Sequence, residues 1–186
     1  MREILISTRP QWCEKIVSGK KTIEVRKTAP KEVPFKCYIY MTQGAYKDLG
    51  LYSEGIYQNR MKVIGEFICD KVYLIKNQRN RFIVANEEQG VTNEIARQSC
   101  LDYDDMVNYL GDKDGYGWHI SDLKIYDKPK ELSEFYRPCS YSGICYSCNR
   151  FRPNGTPNDE PNDFCDGEIT RPPQSYMFVE EVQNDN

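Results

Sequence analysis

The sequence predicts an α+β protein built as an open β-barrel of about five to six strands, with helices at its ends. Three observations point there. Short stretches of alternating or apolar residues recur along the chain, at 4–7, 22–27, 35–41, 61–75, 115–126 and 175–181. Two or three stretches with helical spacing separate them, at 8–19, 92–99 and 102–110. The 186 residues contain no internal repeat and fit a single domain, 1–186, with a cysteine-rich insertion at 138–170.

The run Ile4-Leu5-Ile6-Ser7 is a short apolar strand. Thr8-Arg9-Pro10-Gln11 has the form of a capping box, and Trp12, Cys13, Ile16 and Val17 form the apolar stripe of a two-turn helix that Gly19 ends. The next strand, 22–27, alternates strictly: Thr22, Glu24 and Arg26 on one face, Ile23 and Val25 on the other. Opposite charges facing two β-branched residues suit the wall of a ligand cleft. Lys21 falls opposite Glu24 and Arg26 by alternation, with Lys20 on their side, so either a turn after Gly19 re-aims Lys21 or Lys20 shares its work.

After a proline turn, 35–41 is a strand, and 42–60 is an aperiodic stretch with three glycines and three tyrosines, expected over the barrel mouth. The longest strand signal, 61–75, places Glu66 on an otherwise apolar face, where an ionised carboxylate needs a partner or a cavity. Two helices follow, the second ended by Gly111, then the strand 115–126 carrying the only histidine, His119, for which a packed or hydrogen-bonded structural role is expected. Leu132 and Phe135 are core anchors in the connector 130–137, and 175–181 closes the fold.

Composition narrows the function. Residues 1–36 carry nine Lys/Arg against four Glu, a net +5, while the whole chain is −3 and the remainder therefore −8. That asymmetry favours an anionic ligand near the N-terminal third and argues against a broad phosphate-tracking surface. No apolar run approaches a membrane span and no secretory leader is evident, so a cytoplasmic protein is expected. No Ser-His-Asp arrangement, phosphate-binding glycine loop or nucleotide-cofactor fingerprint occurs.

Four of the eight cysteines, Cys139, Cys145, Cys148 and Cys165, fall within 27 residues of turn-forming sequence. Too few apolar residues lie there to order the segment by burial, and a tetrahedral thiolate zinc site would supply the folding energy. A Cys145–Cys148 disulfide, or four unrelated thiols, are the alternatives. A four-thiolate zinc would be structural. Cys13, Cys37, Cys69 and Cys100 are isolated, and three of them occupy apolar faces.

The pattern Gly19-x-Lys21-x-x-Glu24-x-Arg26 resembles the signature of the ASCH family, whose fold is similar to the PUA barrel. The opening Ile-Leu-Ile-Ser-Thr-Arg-Pro-Gln-Trp and the late Arg171-Pro172-Pro173-Gln174-Ser175-Tyr176 look like that family too. The resemblance implies a PUA-like cleft for RNA or a modified nucleoside, built from Gly19, Lys20, Lys21, Thr22, Glu24 and Arg26. Lys21 and Arg26 would meet oxygens, Glu24 would accept from an exocyclic amine, and tyrosines would offer stacking faces. Alternatively, Arg26 pairs with Glu24 along the strand. One branch of the family is similar to a metal-independent amidohydrolase of acylated cytidine, using a Lys, a Thr three residues on and a downstream Glu. Here Lys21 is followed by Glu24 in the threonine position, leaving Lys21, Glu24 and Glu66 as the candidate catalytic set. A third possibility is a protein-interaction adaptor that uses the cysteine insertion.

Overall fold

The structure, a computed structural model, describes residues 1–44, 55–78, 81–84, 89–138, 167 and 169–181. In chain order it contains β1 (Arg2–Thr8), α1 (Pro10–Val17), β2 (Ile23–Arg26), β3 (Phe35–Met41), β4 (Val63–Cys69), β5 (Val72–Gln78) and β6 (Arg81–Val84). Helices α2 (Gln89–Ser99) and α3 (Tyr103–Leu110) follow, then β7 (Gly115–His119), β8 (Ser121–Lys130), β9 (Phe135–Tyr136), β10 (Tyr176–Phe178) and β11 (Glu180–Glu181). No helix among the described residues is long and apolar enough to cross a membrane.

The strands form a five-stranded sheet in the order β10-β1-β3-β4-β8, a four-stranded sheet in the order β2-β7-β5-β6, and the small β11-β9 ladder. The architecture is α+β, mainly strands in open sheets with few helices, as the sequence predicts. β1 lies parallel to β3 and antiparallel to β10, and both of its faces are covered. Ile4 and Ile6 join Cys37, Ile39, Phe67 and Trp118 in one core, while Leu5 joins Tyr38, Tyr40, Phe135 and Val179 in another. Double-sided burial explains why β1 reads as an unbroken apolar run rather than an alternating one.

Both long strand signals break where the chain changes sheets. The stretch 61–75 divides into β4 and β5 at Asp70-Lys71, and 115–126 divides into β7 and β8 at Ile120. The two corners are fastened together. His119 Nδ1 lies 2.7 Å from Asp70 Oδ1, its backbone N–H donates to the Lys71 carbonyl at 2.9 Å, and Ser121 Oγ donates to the Ile68 carbonyl at 2.8 Å. Neither corner has a proline or glycine to announce it. His119 is thus a tie between corners, in keeping with its expected structural role.

The capping box does not form. Thr8 ends β1, and Arg9 is the residue before the helix, with no side-chain cap. The Thr8 hydroxyl instead accepts from Arg26. Cys13 and Ile16 are buried as expected, but Val17 is exposed. Helix α3 is capped at both ends: Asp102 Oδ1 accepts from the Asp105 N–H at 2.8 Å, and Gly111, at φ 64°, donates to the Val107 carbonyl. Residues 45–54, within the stretch expected over the barrel mouth, and Cys139, Cys145, Cys148 and Cys165 lie outside the described residues.

Candidate functional site

Strand β2 is buried on both faces, and its two faces do different work. Ile23 and Val25 pack with Ile75, Phe82, Ile95, Met106 and Leu110, which holds α2 and α3 against the strand. Glu24 and Arg26 face the other way, into a cavity of about 620 Å³. The remaining walls come from the end of β1, the first turn of α1, one face of α3, and residues 172–174.

Lys21 joins this face because the chain turns before β2 begins. Gly19 adopts φ 71°, the Lys21 N–H donates to the Lys15 carbonyl, and the strand starts only at Ile23. The turn delivers the Lys21 side chain inward, 2% exposed, while Lys20 points to solvent. Lys21 Nζ lies 3.3 Å from Glu24 Oε2 and donates to the Ser99 carbonyl at 2.7 Å. It also sits 5.4 Å from the centre of the Trp12 ring.

Arg26 is similarly engaged. Its Nη2 donates to the Ser7 carbonyl at 2.8 Å and to Thr8 Oγ1 at 3.3 Å, and its Nη1 donates to the Ser175 carbonyl at 3.3 Å. Nε lies 3.1 Å from Glu24 Oε1, an ion-pair contact not aligned as a hydrogen bond. Arg26 thereby joins β1, β2 and the segment before β10. Ser7 Oγ reinforces the joint by donating to the Pro173 carbonyl at 2.6 Å.

The two cations spend most of their donors on protein oxygens. Glu24 does not spend all its acceptors: a carboxylate has about four lone-pair directions, and each oxygen here meets one cation, Arg26 at Oε1 and Lys21 at Oε2. Its side chain is also the most accessible of the three, at 9% against 2% for Lys21 and 5% for Arg26. An incoming group therefore meets a hydrogen-bond acceptor set in a positive surround. Around it the cavity offers Trp12, Tyr109 and the exposed Arg9, which has no ion-pair partner among the described residues. Burial raises the Tyr109 phenol above its ordinary range, with Arg26 pulling the other way. The Cys13 thiol beneath the cluster is also pushed up, by burial first and by Glu24 second.

Of the residues the sequence singled out, Lys21, Glu24 and Arg26 come together; Gly19, Lys20 and Thr22 do not line the cavity. Gly19 shapes the turn, and Thr22 donates its backbone N–H to the Gln98 carbonyl. Glu66 is elsewhere: it is on β4, accepting from Tyr126 and 3.9 Å from Lys36 Nζ. The candidate catalytic set Lys21, Glu24 and Glu66 is therefore not assembled in one cavity. Sequence reasoning missed Thr8, Arg9, Trp12, Asn108 and Tyr109 as cavity residues. The first three were within the stretch that carries the family resemblance; the last two had only a polar helix face to mark them.

An α+β fold of two open sheets around a cavity lined by Lys21, Glu24 and Arg26 has relatives among solved structures. No protein-family model matches the chain, and no curated protein does. A Tyr-to-Phe variant of the ASCH protein from Zymomonas mobilis matches at 16% identity and TM-score 0.54, over 97% of this chain and 91% of that one. A Ser-to-Ala variant matches at 17% and TM-score 0.54, over 96% and 89%. The unsubstituted ASCH protein matches at 18% and TM-score 0.50, over 96% and 88%. The chain has the ASCH-domain fold.

Proposed function

We propose that the chain binds a nucleoside, free or as part of an RNA strand, in the cavity around Glu24. One observation carries this reading: the three separate stretches that resemble the ASCH family all line this one cavity, through Ser7–Trp12 residues, Lys21–Arg26 residues and Pro172–Gln174 residues. In this reading Glu24 accepts from an amine or imino N–H of the base. Lys21 and Arg26 hold the carboxylate in place rather than gripping phosphate themselves, since most of their donors already meet protein oxygens. Trp12 and Tyr109 offer flat surfaces to the base. A phosphate, where present, would meet Arg9 at the mouth, so affinity for a nucleotide should fall with salt more than affinity for its nucleoside.

Calorimetric titration of the four ribonucleosides, their 5′-monophosphates and N-acetylcytidine tests this. At least one nucleoside should bind with a Kd below about 1 mM, and Arg9→Ala should abolish the advantage of the monophosphate. Absence of binding by all of them, and by short single-stranded RNA, would refute the proposal. Turnover of N-acetylcytidine would restore the hydrolytic reading with Lys21 and Glu24 as its groups, without Glu66.

We also propose that Cys139, Cys145, Cys148 and Cys165 hold a structural zinc, on the strength of their spacing. Among the described residues no group of three or more side chains is arranged to hold a metal. Elemental analysis of purified protein should find about one zinc per chain. Its absence from protein prepared without chelator would exclude the site. A protein partner that is lost in Cys145→Ser/Cys148→Ser, with nucleoside binding intact, would mark the insertion as an adaptor surface.

A further inference from the structure

Resting on the nucleoside reading above, we propose that helix α3 is the wall that selects which base the cavity accepts, through Asp105, Asn108 and Tyr109. No part of α3 belongs to the stretches that resemble the ASCH family, so this role comes from geometry alone.

The helix is held in one rotation. Met106 and Leu110 are buried against Ile23 and Val25, and both ends are capped. The Leu110 side chain also packs close over Gly115. With that face fixed inward, Asp105, Asn108 and Tyr109 stand at i, i+3 and i+4 on a neighbouring face, and all three line the cavity. Neither the Asp105 carboxylate nor the Asn108 amide has a hydrogen-bond partner among the described residues. Tyr109 is 37% exposed, with Lys27 Nζ 5.3 Å from its ring centre.

These groups complement what β2 provides. Glu24 offers acceptors only, and cytosine, adenine and guanine can all donate an exocyclic amine to it, so Glu24 cannot rank them. Asp105 adds a second acceptor, and Asn108 adds one group that both donates and accepts. Together they match an edge carrying an amine donor with a carbonyl acceptor close by, as cytosine and guanine do. Adenine has no carbonyl, and uracil has no amine. Tyr109 contributes a stacking face, which serves all bases alike.

The test is titration of cytidine, guanosine, uridine and adenosine into wild type, Asn108→Ala, Asp105→Asn and Tyr109→Ala. These side chains stand on the polar face of α3, and each variant's melting temperature is recorded to confirm folding. Cytidine or guanosine should bind wild type most tightly. Asn108→Ala should flatten the preference by about tenfold, and Asp105→Asn should shift it toward uridine, whose carbonyls gain an amide donor. Tyr109→Ala should weaken every nucleoside by about tenfold without changing their order. If wild type ranks the nucleosides and neither Asn108→Ala nor Asp105→Asn alters the ranking, the assignment to α3 is overturned while nucleoside binding stands. If wild type binds none of the four, or binds adenosine or uridine most tightly, the assignment to α3 is likewise overturned; if the monophosphates, N-acetylcytidine and short single-stranded RNA also fail to bind, the nucleoside reading falls with it.

Discussion

Two clusters of lysine, glutamate and aromatic rings occupy this fold, and their compositions are nearly the same. In one, Glu24 bridges Lys21 and Arg26 beside Trp12, with side chains 2–9% exposed. In the other, Lys36 lies 3.3 Å from Glu3 and 3.9 Å from Glu66, and Tyr38 Oη lies 2.9 Å from Glu3 and 3.0 Å from Glu181. There the Lys36, Glu3 and Glu66 side chains are 24%, 30% and 19% exposed. Burial pushes the Tyr38 and Tyr126 phenols far up, reinforced by Glu3 for the first and Glu66 for the second. Those carboxylates are surrounded by hydroxyls and ammonium groups that water can partly replace. Glu24 has no such substitute: among the described residues it is the carboxylate paired with two nearly inaccessible cations. The difference is one of solvent access, and it separates a functional candidate from a surface network.

Four substitutions sharpen the contrast. The largest effect should come from Glu24→Ala, which strands two buried cations. A loss of about 3–5 kcal/mol in urea unfolding is expected, and a loss under about 1 kcal/mol would show that water enters the cluster freely. Next comes Arg26→Lys, which keeps the charge and abandons the Ser7, Thr8 and Ser175 oxygens. It should cost about 2–3 kcal/mol; a neutral result would mean that Arg26 does not join the three segments. Glu66→Gln should cost only about 1 kcal/mol, and it should leave nucleoside titrations unchanged. A loss of binding in that variant would connect the two clusters after all.

The smallest effect belongs to the corner between sheets. The hydrogen bond from His119 holds the Asp70 carboxyl below its ordinary range. The unfolded chain therefore takes up the proton at higher pH than the folded one. The stabilisation is present above the ordinary carboxylate range and is lost as pH falls through the lowered value. Asp70 is half-exposed, so Asp70→Asn should remove under about 1 kcal/mol near neutrality and almost nothing once both forms are protonated. Urea unfolding of both proteins from neutral to acid pH measures this; a constant difference would remove the carboxylate's charge from the explanation.

How much of this was legible in the sequence depended on whether the deciding interaction was local. Phe35–Met41 was predicted with its bounds, and β2 to within a residue at each end, because alternation and flanking turns determine them. Helix α3 carried its own punctuation in Asp102 and Gly111. The breaks at Asp70-Lys71 and Ile120 were not legible, since a change of sheet involves partners far along the chain and no special residue. Lys21 was ambiguous for a related reason: its direction depends on the backbone at Gly19, which alternation cannot register. Glu66 was placed beside Lys21 because it is a carboxylate on an otherwise apolar face and the amidohydrolase branch of the family uses a downstream Glu. Nothing in the spacing says that Lys21 leads into a strand of one sheet while Glu66 stands on a strand of another. The role of α3 as a cavity wall was hidden because a polar helix face looks the same whether it meets solvent or a ligand.

The place of β1 in its sheet also has a consequence for synthesis. One of its neighbours, β3, is made within a few dozen residues; the other, β10, begins only at Tyr176. At ordinary translation speeds that interval is roughly 10–30 s. Throughout it the apolar Ile-Leu-Ile edge has unpaired backbone groups, and Arg26 lacks the Ser175 carbonyl. Nascent chains stalled before residue 172 should be cleaved readily near β1 and released full-length chains should resist; equal resistance would mean that another segment guards the edge until β10 arrives. A cavity that recruits residues 7, 26 and 175 is complete only once the segment around Ser175 has been made.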